Sequence, residues 1–346
     1  MRKRDYISPS AIKTFYDDIE KFYMVYLSDH PLPREPQTQA MSIGSAFDAY
    51  VKSYLHEVIY GKNADPRFEF ETIFESQVEA HNRDWALDHG KYAYDCYVRS
   101  GALADLLLEL QEASEDPIFE IEIRGIVDGV REGITREVEG MVLLGKPDVY
   151  FKNKENHAVI RDWKVNGWCS KSAKSPEKGF VKLRHGDGIT PHDKHHKDAV
   201  LVKYRGATVN MAQPLDEVNS DWAEQVAIYG WLLGEKVGSG FLTGIDQLVC
   251  KPNPGGYPIV RIAEHRSVVS PDFQWRLYQR ALTVWDIINS DHIFRDCSKL
   301  ESQARCQMLD ERCKAFVHNA AHGDPEVESM FAELTKKPWS GPSTSK

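Results

Sequence analysis

Residues 141–165 read MVLLGKPDVYFKNKENHAVIRDWKV, and the fold of the chain turns on how this stretch is read. Val142, Leu143 and Leu144 form an apolar run closed by Gly145. Asp148 follows, flanked by Val149, Tyr150 and Phe151. A polar turn, Lys152 to Asn156, leads to a second run through Ala158, Val159 and Ile160 to Asp162, Trp163 and Lys164. Two β-forming runs joined by a polar turn predict an antiparallel hairpin. Such a hairpin can bring Asp148 and Asp162, fourteen positions apart, to one end of a sheet. Lys164 then shares a face with Asp162, because successive side chains on a strand alternate. Paired carboxylates without matching basic partners suit a hard cation such as magnesium or manganese. A lysine beside them can hold or deprotonate a water, or offset charge in phosphoryl transfer. An ordinary solvated hairpin with charged edges has the same spacing, and spacing alone leaves both readings open.

Upstream, Ile118 to Arg124 alternates apolar and charged residues with period two. This predicts a half-buried strand whose Glu120 and Glu122 can approach the hairpin or stay solvated. Ser8 and Pro9 make an N-cap and a first helical position, with apolar spacing from Ala11 to Tyr23. Residues 41–55, MSIGSAFDAYVKSYL, and Ala102 to Glu115 suit two more helices, the second ended by Asp116-Pro117. Downstream, Asp216 to Gly234 reads as a helix capped by Asp216 or Ser220, with Gln225 and Tyr229 on one face. By spacing alone Gln225 belongs to the surface and Tyr229 to the core. Ile245 to Val249 and Ile259 to Ala263 read as strands, and Pro271 opens a helix through Ile288. The expected class is α/β (α+β), a central mixed β-sheet flanked by helices.

The chain has 346 residues, 42% of them hydrophobic, enough for a sizeable core. A formal charge of −9 argues against a histone-like positive coat, but a local basic groove can sit on an acidic protein. Arg161 to Arg205 is such a region, with eleven basic residues against five acidic ones. Lys171, Lys174, Lys178, Lys182 and Arg184 are its candidate phosphate contacts, and a lysine-rich solvated loop is the plain alternative. Trp168 suits base stacking or loop anchoring, and His185, His192, His195 and His196 lack cysteine partners at zinc-site spacing. No window approaches a membrane-spanning apolar length, and six scattered cysteines are not a disulfide framework, so a cytoplasmic protein is expected.

The pattern GKPD…RDWK, with AEQVAIYGWLL after it, resembles the PD-(D/E)XK nuclease superfamily and, within it, the RecB-like/RecE-like exonuclease branch that includes Cas4-type proteins. The resemblance implies a restriction-endonuclease-like core with helical insertions and hydrolysis of DNA phosphodiesters with Mg²⁺ or Mn²⁺. It implies metal binding by Asp148, Asp162 and the backbone carbonyl of Trp163, a catalytic Lys164, and Gln225 and Tyr229 as the branch's Gln-x-x-x-Tyr pair. Where the branch carries a histidine beside the metal, this chain has Asp48, which can still serve as a ligand. Its partners would be DNA and a recombination or single-strand-annealing protein, with a homo-oligomer as one family solution to processivity. Such nucleases serve recombination, repair or degradation of DNA in bacterial cytoplasm or phage-infected cells. Some relatives hold an iron–sulfur cluster, but the spacing of Cys297, Cys306 and Cys313 is unlike that group, so none is expected. The implied organisation is a nuclease domain over 1–290 with a helical insertion around 61–116, a helical extension over 291–336 and a flexible tail over 337–346.

Two other classes fit the residues less well. A non-catalytic DNA-binding or assembly protein on a nuclease-like fold would bind DNA without metal-stimulated cleavage. A two-carboxylate hydrolase of sugars would ignore DNA and metal, and Lys164 with the basic stretch makes it a poor fit. RNA is a narrower rival substrate.

Overall fold

The computed structural model describes residues 4–29, 36–127, 140–166, 181–183, 200–253 and 256–290. Six α-helices lead: α1 (Pro9–Asp17), α2 (Ile19–Phe22), α3 (Gln39–Tyr60), α4 (Phe70–Gln77), α5 (Arg83–Ser100) and α6 (Ala102–Gln111). Eight strands follow: β1 (Ile118–Phe119), β2 (Ile123–Val127), β3 (Met141–Gly145), β4 (Val149–Lys152), β5 (Ala158–Asn166), β6 (Val181–Leu183), β7 (Leu201–Tyr204) and β8 (Ala207–Asn210). The chain continues with α7 (Leu215–Val218), α8 (Ser220–Leu232), β9 (Leu242–Asn253), β10 (Gly256–Ser267) and α9 (Pro271–Asn289).

The expected hairpin is β4–β5, antiparallel, with Val149 opposite Arg161 and Lys152 opposite Ala158. Its turn is organised by Asn153, whose Oδ1 accepts from the backbone N–H groups of Glu155 and His157 at 3.1 and 3.0 Å. Asn156 takes the left-handed conformation at φ 60° that asparagine tolerates. β4–β5 lies inside a six-stranded mixed sheet of order β1-β4-β5-β9-β10-β6. β5 and β9 run parallel, Asp162 opposite Ile245, with α8 in the connection between them. Parallel neighbours need such a crossover, and it covers one face of the sheet.

Side chains of β5 alternate between two cores. Ile160 packs with α1, α8 and α9 through Ile12, Val226, Ile228 and Leu277. Val159 and Trp163 pack on the opposite face with α3, α5 and α6 through Phe47, Val51, Tyr97 and Leu106. The result is a mixed α/β fold, a central sheet flanked by helices on both faces.

Four expectations change in detail. The strand expected from Ile118 to Arg124 divides at Glu120, whose φ of 50° breaks the extended run. β1 joins the large sheet, whereas β2 pairs with β3 in a separate two-stranded ribbon, so the Met141–Gly145 run does not continue into β4. The first helix does not run through to Tyr23: Asp18 turns extended (φ −158°) and caps α2 by accepting from Lys21 N–H at 2.9 Å. The helix from Asp216 likewise divides, and neither expected residue caps α8; Asn219 does, accepting from Trp222 N–H at 3.1 Å. Asp216 instead accepts from the backbone N–H and hydroxyl of Ser270, at 2.8 and 2.7 Å, just before α9. The end of the span 161–205 forms β7, which pairs with β8 in a hairpin turned by Arg205 and Gly206, both at positive φ.

The extension over 291–336 and the tail over 337–346 lie outside the described residues, as do Trp168 and the four histidines. Cys297, Cys306 and Cys313 do too, whereas Cys96 and Cys250 are buried cysteines. Among the described residues no helix is long and apolar enough to cross a membrane.

Candidate functional site

Asp148 ends the link from β3 to β4, and Asp162 lies in the middle of β5. The hairpin register places them side by side, with their carboxyl groups hydrogen-bonded to each other. The backbone N–H of Trp163 also points to Asp148 Oδ2, at 3.4 Å. Lys164 shares the face of Asp162, with its Nζ 2.8 Å from Asp162 Oδ1. That contact is ionic rather than directed, since the buried Oδ1 has no hydrogen-bond partner. Asp162 is 2% exposed. Burial and then the charge of Asp148 push its carboxyl well above the usual range, against the pull of Lys164. Burial also acts to raise Asp148, but Lys52, the bond with Asp162 and Lys164 outweigh it and hold Asp148 at about 2. The two carboxyl groups are thus pushed apart, Asp162 upward and Asp148 downward.

Asp48 enters the same cluster from α3. Its Oδ1 accepts from Trp163 Nε1 at 2.8 Å, and its Oδ2 accepts from Gln77 Nε2 at 2.9 Å. Trp163 thus engages the cluster through its indole as well as its backbone. Burial raises the Asp48 carboxyl, helped by Asp148 and opposed by Lys52.

Two further residues complete the cluster. Lys52, one helical turn beyond Asp48, is 2% exposed, and its ammonium meets Asp48, Glu120 and Asp148 at 2.7, 2.5 and 3.1 Å. Burial lowers its pKa, yet Asp148, Asp48 and Glu120 together raise it above the ordinary lysine value. Glu120 reaches this point because of its left-handed backbone, a conformation that costs a non-glycine residue about 1 kcal/mol and clusters at functional positions. Its other oxygen pairs with Lys146 at 2.7 Å. Sequence reading placed Glu120 near the site without assigning it, and missed Lys52. The signal for Lys52 was its i,i+4 spacing from Asp48 on a helix.

Gln225 and Tyr229 do share a face of α8, where Gln225 Nε2 donates to the Tyr229 hydroxyl at 2.6 Å. Tyr229 is buried, and burial followed by the charge of Asp162 raises its phenol. It packs directly on Gly145, where a Cβ would come within 2.6 Å of its ring. Both residues line a groove of about 360 Å³ with Ser8, Ser10, Lys13 and Lys146. Of the candidate phosphate contacts, Lys171, Lys174, Lys178 and Arg184 lie outside the described residues. Lys182 stands on β6 opposite Arg261.

The oxygen donors here are of the type a hard divalent cation takes. Their arrangement is another matter: among the described residues no group of three or more His, Cys, Asp and Glu side chains is placed to hold a metal ion. The physical reason lies in Lys52, whose ammonium keeps Asp48, Glu120 and Asp148 at hydrogen-bonding distances of 2.5–3.1 Å. Magnesium needs oxygens at about 2.0–2.1 Å. The donor set fits by chemistry, then, and not in the geometry it adopts around the lysine.

No protein-family model matches the chain, and no curated protein matches it either. A solved structure described as "Crystal structure of SSO0001" aligns over 62% of this chain and 74% of its own, with 12% identity and a TM-score of 0.23. A likeness that weak bears on neither family nor function.

Proposed function

We propose that this chain is a divalent-metal-dependent deoxyribonuclease, an exonuclease of the RecB-like/RecE-like branch of the PD-(D/E)XK superfamily. The observation that carries the reading is the meeting of Asp148, Asp162 and Lys164 at the β4–β5 hairpin, against the Gln225–Tyr229 face of α8. That combination suits phosphodiester hydrolysis, in which positioning and charge stabilisation do most of the work.

Asp148, Asp162 and the carbonyl of Trp163 are the groups that would hold the cation, with Asp48 beside them. A divalent cation supplies charge that polarises a phosphate and acidifies a bound water. Lys164 orients the attacking water and offsets charge on the phosphate oxygens. Tyr229, held by Gln225, presents its hydroxyl at the edge of the groove. The adjoining groove, with Lys13, Lys146, Ser8 and Ser10, has room and donors for a strand's phosphates.

One observation favours a second reading. Lys52 pairs with three of the carboxylates without any metal, which suits a non-catalytic DNA-binding or assembly protein on a nuclease-like fold. Cleavage of end-labelled linear and covalently closed DNA with Mg²⁺, Mn²⁺ or EDTA separates the two. Metal-dependent loss of linear DNA alone is the expected result. DNA binding by the folded protein with no cleavage under any condition would select the second reading.

A further inference from the structure

Lys52 is an unusual occupant for the floor of a carboxylate cluster. Its ammonium has three N–H groups and meets three carboxylates, contributed by α3, by the residue after β1 and by the residue before β4. It is thereby saturated. Its charge also lies 5.6 Å from the centre of the Trp163 ring. Gln77, from the end of α4, donates to both Asp48 and Glu120 at 2.9 and 3.1 Å, so the two carboxylates are held together by a neutral donor as well. Beyond Asp148 the buried Asp162 Oδ1 meets the site's second lysine, Lys164, at 2.8 Å. The cluster is thus built around a cation, and that cation is covalently tethered to the protein.

We propose that Lys52 is an internal counter-ion that a divalent cation displaces, so that metal loading and withdrawal of the Lys52 ammonium are one event. This rests on the reading that the site takes a divalent metal. A metal ion held by Asp48 and Asp148 would lie close to the ammonium, and like charges that close repel strongly in a buried setting. The metal-free protein keeps its carboxylates folded in with less self-repulsion, and the cost is a weaker affinity for the metal. Lys52 is a positioning residue on this account and touches no substrate.

The test is Mn²⁺ binding to the full chain, followed by electron paramagnetic resonance, together with thermal unfolding with and without Mn²⁺. Lys52→Met, which keeps length and removes charge, should bind Mn²⁺ at least about tenfold more tightly than the wild type. Its melting temperature should fall below wild type without metal and recover more with Mn²⁺ than wild type gains. A folded Lys52→Met that binds Mn²⁺ no more tightly than wild type overturns the proposal. Should that variant fail to fold, acetylation of Lys52 in the wild type, read by mass spectrometry, decides. The lysine should be protected without Mn²⁺ and labelled with it, and equal protection at saturating Mn²⁺ overturns the displacement. Tighter binding by the variant with no DNA cleavage by the wild type would uphold displacement and sink the nuclease. Equal binding with metal-dependent cleavage would do the reverse, and no Mn²⁺ bound by either protein would sink both.

Discussion

Lys164 Nζ stands 2.8 Å from Asp162 Oδ1, two positions along the same strand, with the aspartate buried and the lysine a quarter exposed. Burial disfavours the Lys164 charge, but Asp162 and Asp148 outweigh it and raise the pKa. Lys164 is therefore a cation throughout the physiological range, suited to holding water and offsetting charge rather than to taking a proton. Lys164→Ala should lower metal-stimulated DNA cleavage by at least ~10²-fold, in the range of a single positioned polar group. Circular dichroism and melting temperature should change little. Cleavage within a few-fold of wild type would remove Lys164 from the catalytic set.

Burial and Asp148 push Asp162 up, so an amide, which carries no charge and can donate to Asp148, suits its place. Asp162→Asn should keep stability within about 1 kcal/mol of wild type while abolishing metal-dependent cleavage. Urea unfolding and the cleavage assay read the two effects separately. An active Asp162→Asn protein would argue that the pair is structural.

Away from the site, Glu109 on α6 bridges Arg161 at 2.7 Å and Arg266 at 3.2 Å, tying the helix to β5 and β10. Burial raises its pKa, but the two arginines overcome this and lower it from 4.5 to about 2. A depressed carboxyl stabilises the fold fully above its ordinary value and loses that contribution as pH falls toward its folded value. Wild-type stability should therefore decline between about pH 4.5 and 2 more steeply than that of Glu109→Gln. Near pH 7 the variant should lose about 2 kcal/mol, the shift having been discounted for the partial exposure of the carboxylate. Parallel acid titrations of the two proteins would expose a missing difference.

Gly145 closes β3 where α8 crosses it, and an added Cβ would lie 2.6 Å from Tyr229 and 2.8 Å from Leu232. Gly145→Ala should cost about 1–3 kcal/mol by overpacking. It should also impair cleavage, because Tyr229 would be forced away from Asp162. Pairing it with Tyr229→Phe is informative: the hydroxyl loss should reduce cleavage with little change in melting temperature. Unchanged cleavage in both variants would release α8 from the site.

Much of this was legible from local patterns. The β4–β5 hairpin, α1 with its Ser8 cap, α3, α6, α9 and the strands that became β9 and β10 all follow from periodicity and turn chemistry. The separation of β2–β3 from the large sheet was not, since strand pairing is a non-local choice that period-two alternation leaves open. Nor was the division at Glu120, because its left-handed backbone is stabilised by Lys52 and Lys146, which are distant in sequence. Asp216 shows the same limit: its side chain fits a local cap, but Ser270, on a distant segment, supplies better donors.

By itself the sequence determined that Asp148, Asp162 and Lys164 would share one hairpin and that Gln225 and Tyr229 would share one helical face, because both follow from the periods of strand and helix. Tertiary structure alone decided what those groups meet. Three carboxylates and Lys52 come together from α3, the end of β1 and the start of β4, and only burial makes that meeting obligatory: a buried charge must find its counter-charge, wherever the chain supplies it.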